Sequence, residues 1–285
     1  MNQDYIDLYD RFTHGGMSRR SFLDRLAAMA GGTAAATALL AVLQNDYARA
    51  ETVAEADERI VAESWAVPGG PAGLSGYLVR PKAGGRPGTV LVVHENRGLN
   101  SHIKDVTRRV AVAGFVALGL DYLSPLGGTP ADEDKARDMI GTLKPEDIIA
   151  SSKAAAAALR ARPDGNGKVG AVGFCWGGGA VNQLAVADPA LNAGVAYYGM
   201  QPKAEQVPAI KAPLLLHYGA LDERIDAGIP AFEAALKADN KAYQIFVYEG
   251  ANHAFNNDTG GARYNKAAAD LAWQRTIDFL KTNLA

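Results

Sequence analysis

Apolar runs and stretches with helical spacing alternate along most of this 285-residue chain. Continuous apolar runs such as 88–94 are typical of strands that are buried on both faces of a sheet. The predicted strands are 88–94, 115–121, 168–174, 193–199, 213–219 and 243–248. The predicted helices are 101–113, 131–142, 145–161, 177–187, 228–239 and 262–284, with Ser101 as a helix cap. Ahead of them, 59–68 and 74–81 predict an antiparallel strand pair joined by a Pro/Gly turn.

This alternation predicts an α/β fold, with an open and mostly parallel sheet that has helices on both faces. No repeat or long linker divides the chain, and no insertion is large enough for a separate lid domain. We therefore expect one domain over 51–285. The composition, with 48% hydrophobic and 21% charged residues, is ordinary for a globular protein. A net charge of −2 gives no reason to expect nucleic acid or an anionic membrane surface as a partner.

The first fifty residues have a different pattern. Ser18-Arg19-Arg20-Ser21-Phe22-Leu23 precedes an uncharged stretch, 26–43, and Ala48-Arg49-Ala50 follows it. This resembles a bacterial twin-arginine export signal, although Asp24 stands where such signals often have Lys. We expect 1–50 to engage the export machinery, with cleavage after Ala50 and a periplasmic mature protein that is not embedded in a membrane. An amphipathic helix or an uncleaved membrane anchor is the alternative.

The only cysteine, Cys175, lies in Gly173-Phe174-Cys175-Trp176-Gly177-Gly178, between a predicted strand and a predicted helix. A G-x-C-x-G sequence at such a junction has the form of a nucleophile elbow, a tight turn that raises the nucleophile above the sheet. The flanking glycines are expected because the turn brings neighbouring backbone too close for side chains. The alternative is a buried cysteine that serves as a small apolar residue. One cysteine cannot form an internal disulfide.

Two further residues complete a candidate catalytic site. Asp222 follows the strand 213–219, and His253 follows the strand 243–248. Because the carboxyl ends of parallel strands meet at one edge, Cys175, Asp222 and His253 are expected to lie together, in the chain order of an α/β-hydrolase triad. Glu223 and Asp226 are rivals for Asp222, and each loop residue has a purely structural alternative.

The other histidines are weaker candidates for catalysis. His14 lies in the predicted signal, His102 at the start of a helix, and His217 inside a strand. The spacing of cysteine, histidine and aspartate along the chain indicates no metal site.

Three motifs together resemble the dienelactone hydrolase (carboxymethylenebutenolidase) family. They are Val93-His94-Glu95-Asn96-Arg97-Gly98-Leu99, Gly173-Phe174-Cys175-Trp176-Gly177-Gly178 and Asn252-His253-Ala254-Phe255. The likeness runs from about residue 59 to the C-terminus. It implies an α/β-hydrolase core, no cofactor, and a Cys-His-Asp triad that hydrolyses lactones or esters. The family's acidic residue after the third strand corresponds to Glu95, for which the resemblance implies a gating role: it holds the thiol proton until substrate arrives. Pairing with Arg97 or another basic group is the alternative.

The remaining assignments concern the oxyanion and the substrate. Backbone N–H groups of Trp176 and Asn96 are expected to form the oxyanion hole. Arg97 lies close to the site in sequence, and Tyr122 and Phe255, with Trp176, are expected to line an aromatic substrate pocket. Dienelactone-cleaving members use arginines to bind a substrate carboxylate, but 121–130 contains none, so recognition of an anionic dienelactone is in question.

The function that the sequence predicts is hydrolysis of a small-molecule ester or lactone by the Cys175 thiolate. Two other functions stay open. One is an exported small-molecule binding protein that keeps the fold without activity, which predicts an unreactive thiol. The other is a redox-sensing thiol, which predicts sulfenic acid formation without ester turnover.

Overall fold

The computed structural model describes residues 1–46 and 51–285, and its centre is an eight-stranded sheet with strand order β1-β2-β4-β3-β5-β6-β7-β8. The strands are β1 (Ile60–Ala66), β2 (Ser75–Pro81), β3 (Thr89–Val93), β4 (Val116–Asp121), β5 (Val169–Phe174), β6 (Ala193–Tyr197), β7 (Leu214–Gly219) and β8 (Tyr243–Tyr248). Strand β2 pairs antiparallel with β1 and β4, and the other neighbours are parallel. The predicted mostly parallel sheet with an opening antiparallel pair is confirmed.

The helices follow the strands in the predicted alternation. They are α1 (Gln3–Thr13), α2 (Arg19–Ala30), α3 (Thr33–Leu43), α4 (Ser101–Val112), α5 (Glu133–Gly141), α6 (Pro145–Arg160), α7 (Trp176–Ala187), α8 (Glu223–Asp226), α9 (Ile229–Ala238) and α10 (Lys266–Leu284). The predicted cap of α4 is one residue off: Asn100, not Ser101, accepts a hydrogen bond from the Ile103 N–H.

Each face of the sheet has its own hydrophobic core, because successive side chains of a strand point to opposite faces. In β3, Val90 and Val92 pack with residues of α4 and α10, whereas Leu91 and Val93 pack with residues of α6 and α7. All four side chains are buried, which explains the continuous apolar run. The sheet is thereby fixed from both sides, and its carboxyl edge is a rigid support for loops.

The N-terminal helices α1, α2 and α3 pack together around a small core of their own. It comprises Ile6, Leu8, Tyr9, Phe12, Phe22, Leu26, Ala36 and Leu43. Ser18 caps α2 by accepting from the Ser21 N–H, so the Arg19-Arg20 pair forms the first turn of a helix. Among the described residues no single helix is long and apolar enough to cross a membrane; α2 and α3 meet that test only jointly, across a bend of 112°.

The predicted export signal stays a prediction. Its cleavage site, Ala48-Arg49-Ala50, includes residues outside the described ranges. The described part of the segment contacts the rest of the protein, for example through the ion pair of Arg19 with Asp134.

The start of α7 lies so close to β3 that it requires glycine. A Cβ atom on Gly177 would meet the carbonyl oxygens of His94 and Val93, which are backbone atoms that cannot turn aside. Gly179, two residues further on, would place a Cβ no closer than 3.5 Å to atoms of Met200, an ordinary contact.

We therefore expect opposite effects of alanine at these two positions. Gly177→Ala should lower the free energy of unfolding by about 1–3 kcal/mol, because β3 and α7 must move apart. Gly179→Ala, the matched control, should leave it unchanged or raise it by up to about 1 kcal/mol, because alanine favours the helix. Urea unfolding of both variants measures this, and equal stabilities would contradict the close approach.

Candidate active site

Cys175 occupies a strained turn between β5 and α7. Its φ of 56° lies in the left-handed region, which residues with a side chain seldom adopt. A Cβ on Gly173 would fall on the backbone of Gly177, so the turn needs glycine at both positions. Strain of this kind is found preferentially at functional sites, where the surrounding structure maintains it. The predicted elbow geometry is present.

The loops after β7 and β8 bring Asp222 and His253 together. His253 Nδ1 is 2.5 Å from Asp222 Oδ2, and both side chains are buried. Of the two rivals, Glu223 is exposed. Asp226 is half-buried, and burial together with the Asp222 charge raises the pKa of Asp226 to about 6. Asp222 is therefore the carboxylate that orients the imidazole.

The thiol of Cys175 faces two imidazoles. A ring nitrogen of His253 lies within 4.8 Å of Sγ. Nε2 of this ring has no hydrogen-bond partner in the described part of the chain. The hydrogen bond of the thiol is made instead with His14, whose Nε2 is 3.2 Å from Sγ. The rings of His14 and His253 meet edge to face, with centroids 4.7 Å apart.

His14 is the site residue that sequence reasoning missed, since it was assigned to the export signal. It follows the last residue of α1, and its Nδ1 is 3.0 Å from Asp10 Oδ1, one helical turn earlier. No local pattern points from His14 to a cysteine 161 residues away. The sequence does indicate a helix before His14, because Ile6, Tyr9 and Phe12 are spaced as on one apolar helix face that packs against the rest of a protein.

The charges at the site favour a thiolate. Burial raises the pKa of the Cys175 thiol. The positive charges of His253 and His14 lower it by more than burial raises it, so that the pKa is about 6. Burial lowers the pKa of His14, and the thiolate and Asp10 more than reverse this, raising it to about 9. For His253 the Asp222 and Cys175 charges likewise outweigh burial, so its pKa rises well above the usual range. At a pH between about 6, the pKa of Cys175, and about 9, the pKa of His14, the thiolate is paired with imidazolium.

Glu95 is buried near the thiol and is hydrogen-bonded to Asn257 and Tyr198. Asn257 Nδ2 donates to Oε2 at 2.7 Å, and the Tyr198 hydroxyl is 3.5 Å from Oε1. Glu95 and Cys175 line the same narrow crevice, of about 20 Å³. The predicted gating role stays a prediction, but the hydrogen-bonding position that it requires at the thiol is taken by His14.

The two predicted oxyanion donors border the cavity over Cys175. Trp176 is the first residue of α7, where the N–H has no intrahelical acceptor. Asn96 lies in the loop after β3, and its side chain donates to the Thr13 carbonyl at 2.9 Å. Both residues line the cavity together with Cys175 and His253.

This cavity has a volume of about 570 Å³ and opens to solvent. Two arginines line it, Arg137 from α5 and Arg224 from α8. Arg137 pairs with Asp134 and Asp138, and Arg224 pairs with Asp10. Neither arginine could be expected from the segment 121–130, because Arg137 and Arg224 lie in later helices that the fold places beside the cavity.

The predicted pocket residues need correction, since Arg97, Tyr122 and Phe255 do not line that cavity. Tyr122 and Phe255 are buried beneath the site, where Tyr122 packs against Trp176 and Phe255 against Tyr198. Arg97 is buried too and donates to the Glu133 carbonyl at 2.9 Å. Arg97 does line the narrow crevice of about 20 Å³ beside Cys175 and His253. Of the predicted aromatic residues only Trp176 borders the larger cavity.

The fold also assembles a set of potential metal ligands that sequence spacing did not indicate. The ligand atoms of His14, Cys175 and His253 all lie within 4.8 Å of one another. Nitrogen and sulfur donors of this kind are those that Zn²⁺ prefers. In the described structure the sulfur atom is instead hydrogen-bonded to one of the two imidazoles, that of His14.

Comparison with known proteins gives consistent matches. Residues 74–284 match the model of the dienelactone hydrolase family, and residues 1–31 match a family described as YqhI-like. A probable 2-oxo-3-(5-oxofuran-2-ylidene)propanoate lactonase of Bradyrhizobium is 33% identical over 227 residues, which cover 73% of this chain and 89% of that protein. A putative carboxymethylenebutenolidase of Saccharolobus solfataricus is 32% identical, over 67% of this chain and 88% of its own.

Among solved structures, a putative dienelactone hydrolase from Klebsiella pneumoniae superposes with a TM-score of 0.71 at 30% identity. The superposition covers 78% of this chain and 98% of that one.

The charge arrangement predicts an unusually acidic thiol. Because the pKa of Cys175 is about 6, its alkylation rate by iodoacetamide should rise with pH around 6 and level off above about 7. In denaturant the same thiol should titrate near the ordinary value of about 8.5, and the lone cysteine makes this comparison unambiguous. A native midpoint at or above that of the unfolded chain would contradict the account.

Proposed function

Since the chain belongs to the dienelactone hydrolase family and is a hydrolase of ester or lactone bonds, we propose that it acts through a triad of Cys175, His253 and Asp222. The observation that carries this proposal is the short Asp222–His253 hydrogen bond, which turns the free Nε2 of the imidazole toward a thiol on a strained elbow. A carboxylate, an imidazole and a nucleophile in this relation are the parts that acyl transfer needs.

In the first half of the reaction the thiolate attacks the carbonyl carbon. The C–S bond forms, and the oxyanion is held by the N–H groups of Trp176 and Asn96. The C–O bond of the ester or lactone then breaks, and His253 passes its Nε2 proton to the departing oxygen. Asp222 holds the ring in the orientation that this transfer requires.

In the second half water replaces the alcohol. The neutral His253 takes a proton from a water molecule that attacks the thioester, and the carboxylic acid product leaves as the C–S bond breaks. The thiolate and the protonated His253 are restored. The groups that contact the reacting atoms in these steps, from Cys175, His253, Trp176 and Asn96, belong to residues that border the cavity over Cys175.

The substrate class follows from the family and the cavity. Relatives are named as lactonases and carboxymethylenebutenolidases, which supports a small lactone or ester for this chain. A volume of about 570 Å³ suits a small molecule. Arg137 and Arg224 could approach a substrate carboxylate, but both already pair with aspartates, so recognition of an anion requires these pairs to open.

The two rival functions predict different thiol chemistry. A binding protein without activity has no need for a thiolate, whereas the charges around Cys175 favour one. A redox sensor also uses a thiolate, but it has no need for the Asp222–His253 pair beside an elbow. Hydrolysis accounts for all three residues together.

Substitution of the triad tests the proposal. The full-length protein should hydrolyse p-nitrophenyl acetate and small lactones, and Cys175→Ala or His253→Ala should lower kcat/KM by about a thousandfold or more. Glu223→Gln, which changes the exposed carboxylate next to Asp222, is the matched control and should stay within about twofold of the parent. Comparable turnover by Cys175→Ala would refute the nucleophile assignment.

A further inference from the structure

We propose that Asp10 and His14 form a second carboxylate–imidazole pair that acts directly on Cys175, so that helix α1 is part of the active site. The proposal rests on the function proposed above and deepens it. In it, His14 keeps its proton through the cycle and serves as the counter-ion of the thiolate, both at rest and when the thiolate leaves the thioester. The proton that moves to the leaving oxygen and back from water is carried by His253.

The two pairs have a similar geometry. In each, an aspartate carboxylate contacts Nδ1 of the imidazole, at 3.0 Å for Asp10 and His14 and at 2.5 Å for Asp222 and His253. His14 Nδ1 is also 2.9 Å from the backbone carbonyl of Asp10, so that the same residue contacts the ring twice. Both rings lie beside Cys175: His14 Nε2 is 3.2 Å from Sγ, and a ring nitrogen of His253 lies within 4.8 Å of it. A carboxylate on Nδ1 fixes the tautomer and stabilises the protonated ring. Cys175 therefore has one imidazole that is already hydrogen-bonded and a second that has a free Nε2.

Helix α1 is held in place by the same loops that carry the site. Arg224, two residues after Asp222, is 3.2 Å from Asp10 Oδ2. Asn96, next to Glu95, donates to the Thr13 carbonyl at 2.9 Å, and Asn252, next to His253, contacts Gln3. Three separate segments that follow β3, β7 and β8 thus position the helix that His14 directly follows.

Cation–π contacts also hold α1 against the rest of the protein. The guanidinium of Arg137 lies 4.9 Å from the ring centroid of Phe12, and that of Arg263 lies 5.0 Å from the centroid of Tyr9. After His14 the chain turns away at Gly15, whose φ of 82° favours glycine. The imidazole is thus directed into the cavity, which it lines together with Cys175.

The charged groups around His14 favour its protonated form. Asp10 faces it from its own helix, Cys175 from the elbow, His253 from the loop after β8, and Arg224 from α8. Glu95 lines the narrow crevice together with His14 and Cys175. Among these, the thiolate and Asp10 are in direct contact with His14, and their combined effect keeps the pKa of His14 near 9. Removal of the imidazole would leave the thiolate with His253 alone.

One consequence concerns the predicted export signal. A protein that lost 1–50 on export would lose Asp10 and His14 together with the signal. The full-length chain is therefore the form in which the pair is tested.

The test is the pH dependence of Cys175 alkylation by iodoacetamide in full-length variants, which requires no substrate. In His14→Gln the midpoint should rise by about 1 pH unit or more, and the rate at pH 6 should fall about fivefold or more, because a positive charge at the thiolate is lost. Asp10→Asn keeps the imidazole and should shift the midpoint in the same direction by a smaller amount. Asp7→Asn, which removes an exposed carboxylate from the same helix, is the matched control and should shift nothing.

The outcomes separate this proposal from the proposed function. If the alkylation midpoint does not move in a folded His14→Gln protein, the proposed role of the Asp10–His14 pair is overturned. A lower melting temperature alone would indicate only a structural role for His14. If His14→Gln does not fold, an unshifted midpoint in Asp10→Asn overturns it. If the parent hydrolyses no ester or lactone while His14→Gln shifts the midpoint, hydrolysis through Cys175 fails and the Asp10–His14 pair stands.

Discussion

The ion pairing of Cys175 within the protein is the interaction on which the proposed active site depends. A buried thiolate is costly unless opposite charges compensate it. Here the imidazolium rings of His14 and His253 compensate the thiolate, and each ring is paired with an aspartate, Asp10 or Asp222. Arg224 pairs with Asp10 in turn. The two aspartates allow both histidines to remain protonated beside each other, and the histidines in turn hold the thiol in its ionised form.

The backbone at the site is strained at three positions. Cys175, Tyr198 and Ala254 all have positive φ. The ring of Tyr198 contacts that of His253, and Ala254 follows His253 in the sequence. Such conformations cost about 1–3 kcal/mol each and persist only where packing maintains them. The two cores that fix β5, β6 and β7 from both faces supply that packing. Rigid strands therefore present the reactive side chains at fixed positions, as a preorganised site requires.

Much of this was readable from the sequence, for identifiable reasons. Strands such as β3 and β5 are continuous apolar runs, and Cys175, Asp222 and His253 each directly follow a strand, so the sheet edge could be expected to gather them. His14 could not be found in this way, because it reaches the site through the packing of a helix far away in the chain. Tyr122 and Phe255 were wrongly assigned to the pocket, since sequence position near a strand end does not tell which side of the loop an aromatic ring occupies.

In the proposed mechanism Cys175 carries the acyl group, and acid-quenched mass spectrometry tests this directly. Full-length protein mixed with excess p-nitrophenyl ester and quenched within the first turnovers should gain the mass of one acyl group. Peptide mapping should place that group on the peptide that contains Cys175, and Cys175→Ala should gain nothing. An acyl group on a different residue during turnover, or the same gain of mass in Cys175→Ala, would contradict the account.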